Sequence, residues 1–209
     1  MPEITRSDAF GQAIIRTIRE QGFEHVLEIG AWDGLGSTQV LIEALSHAQD
    51  PKLVCLEANA TRYVQLVQTV RNYPWIRPVF GSSITLASLT PKTFEEVWQS
   101  PHNRLFYPEA QVRSWWVETI AFLEDAREGF LEHLDDVQFD AVLVDGCEFA
   151  GFDDYRLVKP HTRCLMLDDV HHAYKCSRAH AELKLDPEWR LAWEDDRVRN
   201  GAAIWLRKT

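Results

Sequence analysis

Residues 26–37, Val-Leu-Glu-Ile-Gly-Ala-Trp-Asp-Gly-Leu-Gly-Ser, constrain this chain more than any other stretch. A short apolar run passes an acid, enters a turn carrying Gly30, Gly34 and Gly36, and leaves in a helical pattern. Glycine takes positive φ at no steric cost and lets a ligand approach the main chain. A helix starting after such a turn presents free N–H groups in its first turn. The spacing, Glu-x-Gly-x-x-x-Gly-x-Gly, is not the dinucleotide fingerprint Gly-x-Gly-x-x-Gly.

Strand-like runs then alternate with helix-period segments, the pattern of a parallel sheet covered on both faces. Val26 to Gly30 reads as the first strand, followed by a helix from about Ser37 to His47. Leu53 to Leu56 reads as the second strand, ending at Glu57, with a helix over about Ala60 to Asn72. Pro78-Val79-Phe80 leads into Gly81-Ser82-Ser83 as a third strand and turn. Regularity lapses from about 85 to 107, and a long helix is expected over Glu109 to Leu134. Phe139 to Val144 and Cys164 to Leu167 read as the fourth and fifth strands, and Tyr174 to Leu185 as a helix. Trp189 to Trp193 and Ala202 to Leu206 close the chain, joined by a polar turn ending Arg199-Asn200-Gly201, a hairpin signal. The expected fold class is α/β, a single domain over 1–209. Its doubly wound, mostly parallel seven-stranded sheet ends in a C-terminal antiparallel hairpin. The aromatic-rich insertion at about 85–120, with Phe94, Trp98, Phe106, Trp115 and Trp116, is expected to form an acceptor-side lid.

Acids fall at the carboxyl ends of four predicted strands: Glu28, Glu57, Asp145 and Asp168-Asp169. The ligand crevice of an open α/β sheet lies outside those ends. Glu57 comes roughly twenty residues after the glycine turn, where a carboxylate accepts both hydroxyls of a ribose. Asp145, Asp168 and Asp169 would converge from neighbouring strands, and three carboxylates in one spot repel unless a cation neutralises them. Oxygen ligands without cysteine or paired histidine point to Mg²⁺ or Mn²⁺. Glu148, His171 and His172 stand close in sequence to these acids and are candidate bases. Each has a plainer reading as a helix-capping or solvated side chain.

The glycine turn and the terminal hairpin together resemble class I S-adenosylmethionine-dependent methyltransferases over essentially the whole chain. The pairs Val144-Asp145-Gly146 and Leu167-Asp168-Asp169-Val170 look like those of metal-dependent O-methyltransferases of the catechol and macrolide-sugar type. The resemblance implies S-adenosylmethionine bound by Glu28, Gly30, Ala31, Gly34, Gly36, Ser37, Glu57, Ser82, Ser83 and Asp145, with Ser82 or Ser83 beside the adenine. It implies Asp145, Asp168 and Asp169 as ligands of Mg²⁺ or Mn²⁺, and Asp145, Glu148, His171 and His172 as the catalytic set. It also marks a departure: Glu148 stands where catechol-type enzymes carry a lysine base. The implied reaction is O-methylation of a hydroxyl on a small molecule or glycan. A nicotinamide-dependent oxidoreductase and a non-catalytic scaffold of the same fold remain the rival readings.

The charge balance fits a small-molecule acceptor. Lys plus Arg is 22 against 32 Asp plus Glu, a net charge of −10, which argues against nucleic acid or an anionic membrane as partner. No basic-then-apolar leader opens the chain and no apolar run reaches spanning length, so a cytoplasmic location is expected. Cys55, Cys147, Cys164 and Cys176 form no Cys-x-x-Cys pair and are expected to be reduced. Arg104 and Arg113 could meet an anionic acceptor, and exposed aromatics in the insertion are compatible with a homodimer.

Overall fold

In a computed structural model the chain is described over residues 3–101, 107–125, 128–171 and 174–208. Seven strands form one sheet: β1 (His25–Ile29), β2 (Lys52–Glu57), β3 (Ile76–Phe80), β4 (Phe139–Val144), β5 (Thr162–Asp168), β6 (Trp189–Asp195) and β7 (Ala202–Arg207). Their spatial order is β3-β2-β1-β4-β5-β7-β6. The first five run parallel, while β7 is antiparallel to both β5 and β6. The sequence reading of the sheet therefore holds in strand number, type and terminal hairpin.

Alternation of side chains along each strand divides the sheet between two cores. Val26, Leu53, Cys55, Ala141, Leu143, Cys164 and Met166 face one, together with α1 (Ala9–Gln21) and α2 (Ser37–Leu45). Leu27, Ile29, Leu56, Val142, Val144, Leu165 and Leu167 face the other, against α6 (Gly151–Val158) and α7 (Tyr174–Leu185). On the first face, helix α3 (Ala60–Val70) adds Leu66 and Val70. Helix α1 lies outside the sequence reading, although its start and stop are well marked. Asp8 accepts from the N–H groups of Phe10 and Gly11, and Gly22 ends the helix at φ 62°.

The insertion differs from expectation in one respect. After α4 (Phe94–Trp98), α5 runs only over Glu109–Asp125, and a separate 3-10 turn spans Phe130–His133. Gly129 accounts for the break. Its backbone is extended, and an added Cβ would lie 2.6 Å from Ile84 Cα. The chain passes close beside 82–84, where Phe130 and Leu131 donate to the carbonyls of Ser82 and Ser83. The insertion packs as a third, smaller core on Phe149 and Ala150, so it buttresses the loop after β4. Asp153 adds a polar tie, accepting from the N–H of Thr90.

Strand order reverses between β1 and β4, so the loops following them face a crevice at the switch point. Gly30 stands there at φ 89°, and a Cβ on it would lie 2.2 Å from the carbonyl oxygen of Asp145. No side chain fits. Gly30→Ala is expected to cost on the order of 3 kcal/mol or more, combining a backbone clash with αL strain. Gly22→Ala, also left-handed but with nothing within 4 Å of the new Cβ, should cost only about 1–2 kcal/mol. Urea denaturation of the two variants measures the difference.

Candidate active site

Two cavities flank the Gly30–Asp145 approach, and Trp32, Gly146 and Glu148 line both. The first, of about 360 Å³, has Glu57, Ser82 and Ser83 on one side and Trp115, Phe122 and Leu123 on the other. The second, of about 340 Å³, is bounded by Ala31, Gly36 and Ser37 from the glycine turn and by Asp145, Asp169 and Lys175. Residues of the insertion wall the first cavity, and none of its described residues lines the second. The insertion therefore lies over the first cavity. Arg113 pairs with Glu95 and Glu109 on the surface, while Arg104, Phe106 and His172 lie outside the described residues.

Glu57 is 6% exposed and its carboxylate is pre-aimed. Its Oε1 accepts from the N–H of Asn59 at 2.7 Å and its Oε2 from the N–H of Trp32 at 2.9 Å. Burial raises its pKa, and these two backbone donors work against that rise. Each oxygen keeps a lone pair for a hydroxyl from the cavity. Trp32 adopts φ 53°, costly for so bulky a residue, and carries the Arg62 guanidinium 3.3 Å over its ring. That stack forms a rim shared with the first cavity.

Two expected ligands have other work. Glu28 is fully buried and lines neither cavity. Its oxygens accept from Ser37 Oγ at 2.7 Å and Thr38 Oγ1 at 2.8 Å, so it ties β1 to the start of α2 rather than touching a ligand. Gly34 also lines neither cavity; a Cβ there would meet Leu66 and Thr69, so its bareness admits helix α3. With the hydroxyls of Ser37 and Thr38 engaged, no side chain caps α2, and its first turn opens beside the second cavity. An uncapped helix N-terminus of this kind suits a carboxylate.

The strand-end acids do converge, but around a lysine. Lys175 Nζ lies 2.9 Å from Asp145 Oδ1, 2.9 Å from Asp169 Oδ2 and 3.7 Å from Asp168 Oδ2. Two of the three remaining oxygens are also taken. Arg199 Nη2 donates to Asp168 Oδ1 at 2.7 Å, and Asn200 Nδ2 to Asp169 Oδ1 at 3.0 Å. Burial would lower the pKa of Lys175, yet Asp145 and Asp169 hold it well above the ordinary lysine value. Burial likewise opposes ionisation of Asp169, and Lys175 brings its pKa below the usual range. The expected divalent-ion set of Asp145, Asp168 and Asp169 does not fit a metal in this arrangement, because an ammonium occupies its centre. Among the described residues, the only set of three or more potential ligands whose donor atoms lie within 4.8 Å of one another is His171, His180 and Glu194. There the indole N–H of Trp205 donates to His180 Nδ1 at 3.1 Å, which places the His180 proton on Nε2, facing Glu194. That nitrogen therefore has no lone pair to offer a cation.

Glu148 stands apart from this network. Its Oε2 is buried without a hydrogen-bond partner, and it faces both cavities. Burial pushes its pKa up to about 7; Lys175 opposes the rise, and Asp169 and Asp168 add to it. His171, in contrast, turns to Glu194 at 3.0 Å and to the ring of His180, and lines neither cavity. Sequence reasoning missed Lys175, Arg199, Asn200 and the Trp32–Arg62 stack. The one available signal was a lysine in the helix that follows the Asp168-Asp169 pair.

No protein-family model matches the chain, and no curated protein resembles it in sequence. The O-methyltransferase TomG of Streptomyces achromogenes, solved with SAM, superposes with a TM-score of 0.62 at 15% identity, covering 100% of this chain and 84% of that one. The O-methyltransferase of Bacillus cereus, solved with SAH, gives 0.60 at 14% identity, covering 97% and 82%. The SAH-bound Podospora anserina methyltransferase PaMTH1 gives 0.56 at 16% identity, covering 95% and 78%. The chain has the Rossmann-like fold of the class I methyltransferases.

A second buried acid lies directly beneath the site. Asp154 is fully buried in α6, near Gly146, its two carboxylate oxygens lack a hydrogen-bond partner, and burial raises its pKa to about 7. Below pH ~4 it is protonated in folded and unfolded chains alike. Between about pH 4 and 7 the unfolded chain ionises it while the fold keeps it neutral, so stability falls as pH rises. Asp154→Asn should therefore stabilise the protein by roughly 2–4 kcal/mol at pH 8, the gain vanishing near pH 4. Thermal unfolding across that range tests it.

Proposed function

We propose that this chain is an S-adenosylmethionine-dependent methyltransferase acting on a hydroxyl oxygen. The observation that carries the reading is the pair of cavities joined at Gly30 and Asp145. One is walled for a heterocycle with a diol at Glu57; the other opens on an uncapped helix. When bound, S-adenosylmethionine supplies an electrophilic methyl group, which the acceptor oxygen takes from the sulfonium sulfur. Glu57 would hold the ribose hydroxyls, Ser82 and Ser83 would lie beside the adenine, and the α2 N-terminus would take the methionine carboxylate. Gly30, Ala31 and Gly36 would line the methionine portion.

Glu148 is the base in this reading. Its unpartnered Oε2 can accept the acceptor's hydroxyl proton, and a pKa near the working pH is what a general base requires. Lys175 holds Asp169 in its ionised form and gives Asp145 and Asp168 an ion-pair partner. The neighbours named above are O-methyltransferases or a methyltransferase, which supports the same chemistry. A small molecule or glycan is the acceptor class we favour. We place the protein in the cytoplasm, in keeping with four free cysteines and no helix long and apolar enough to cross a membrane among the described residues.

Two measurements test this. Calorimetry should detect S-adenosylmethionine binding to the purified protein, weakened at least about a hundredfold by Glu57→Ala through loss of charge-assisted hydrogen bonds. Binding of a nicotinamide cofactor instead would favour the oxidoreductase. With an acceptor in hand, kcat/KM should rise with pH through about 7 as Glu148 ionises. Glu148→Gln should abolish that limb and lower kcat by about 10²–10⁴.

A further inference from the structure

We propose that Lys175 is a built-in cation that takes the place of a divalent metal at the strand-end carboxylates, so that the site serves acceptors with a single hydroxyl. The substrate part of this inference rests on the methyltransferase reading; the cation part does not.

A divalent ion places strict demands on its ligands. Mg²⁺ takes its oxygens at about 2.0–2.1 Å in a near-octahedral shell. Here Asp145 and Asp169 stand 2.9 Å from the Lys175 nitrogen, a hydrogen-bond distance, with Asp168 at 3.7 Å. The three carboxylates do not form a set with donor atoms within 4.8 Å of one another. They are splayed around an ammonium rather than drawn in around an ion. The Lys175 side chain is only 5% exposed, and its residue lines the second cavity, so it is a fixed wall of the site. Arg199 supplies a second positive charge on the outer side of Asp168.

A metal at such a site does two things: it neutralises the carboxylates, and it offers open positions that hold two neighbouring acceptor oxygens and acidify one. Lys175 does only the first. Its N–H groups are directed at Asp145 and Asp169 and present no vacant coordination position. Activation of the acceptor then falls to Glu148, which needs one hydroxyl and no chelating partner beside it. A vicinal diol gains no advantage over a lone hydroxyl.

The test uses Mn²⁺ as the probe, with free ion counted by electron paramagnetic resonance on the full chain. Wild type should leave Mn²⁺ free. Lys175→Ala removes the cation and should bind one ion at least about tenfold more tightly than wild type, since a divalent ion relieves the exposed repulsion. Adding Asp169→Asn to that variant should abolish the binding. Lys175→Gln, which keeps most of the side-chain volume, serves if the alanine variant does not fold. Stoichiometric Mn²⁺ binding by wild type that Asp169→Asn removes would overturn the proposal. So would folded Lys175→Ala and Lys175→Gln proteins that both leave Mn²⁺ free. Calorimetry with S-adenosylmethionine on the wild-type sample keeps the two readings apart: its failure would sink the methyltransferase assignment and leave the manganese result standing.

Discussion

The contact on which the molecule turns is the van der Waals approach of Gly30 to the Asp145 carbonyl. β1 and β4 are neighbours whose following loops must diverge, one towards α2 and the other towards α6. They can do so at this separation only because one of them has no side chain. The same approach divides the crevice into two cavities and sets Asp145 and Glu148 on the boundary between them. A wider spacing would merge the cavities and let water reach Glu148, lowering the pKa that burial maintains.

Charge inside the crevice is organised in tiers. Glu28 is satisfied by two hydroxyls, Glu57 by two backbone N–H groups, and Asp145, Asp168 and Asp169 by Lys175, Arg199 and Asn200. Each tier gives an acid a partner. Glu148 Oε2 has none, and unlike Asp154, whose buried oxygens are also unpartnered, it belongs to a residue that lines both cavities. Buried acids with partners shape a site, and the acid left with an empty lone pair is the one free to move a proton.

Much of this was legible in the amino-acid sequence because parallel strands buried on both faces are continuous apolar runs. The acids that end them stand out against Val26-Leu27, Val142-Leu143-Val144 and Leu165-Met166-Leu167. Helix α1 was legible too, through Phe10, Ile14, Ile15 and Ile18 between an aspartate cap and Gly22, though its weight as a packed layer emerges only in three dimensions. What sequence could not supply was direction. Nothing in the residues around Glu28 says that it faces α2 instead of the crevice. Nothing around Gly34 says that it makes room for Leu66 and Thr69 rather than for a ligand. Above all, the convergence of Asp145, Asp168 and Asp169 was foreseeable, but its neutralising partner was not. Lys175 arrives from the first turn of α7, and whether a helical lysine snorkels outward or turns inward depends on packing across the sheet.

Arg199 carries a consequence for how the molecule comes into being. It reaches from the β6–β7 connection to Asp168 and to the carbonyl of Glu3, so the acid cluster is completed by residues from the two extremes of the described chain. During vectorial synthesis the first five strands can emerge and pair while Asp168 still lacks its outer cation. A ribosome-bound intermediate would hold a sheet with an open edge at β5 and an under-neutralised centre. The β6–β7 hairpin closes both at once, so full neutralisation of the acid cluster waits on the pairing of β7 with β5.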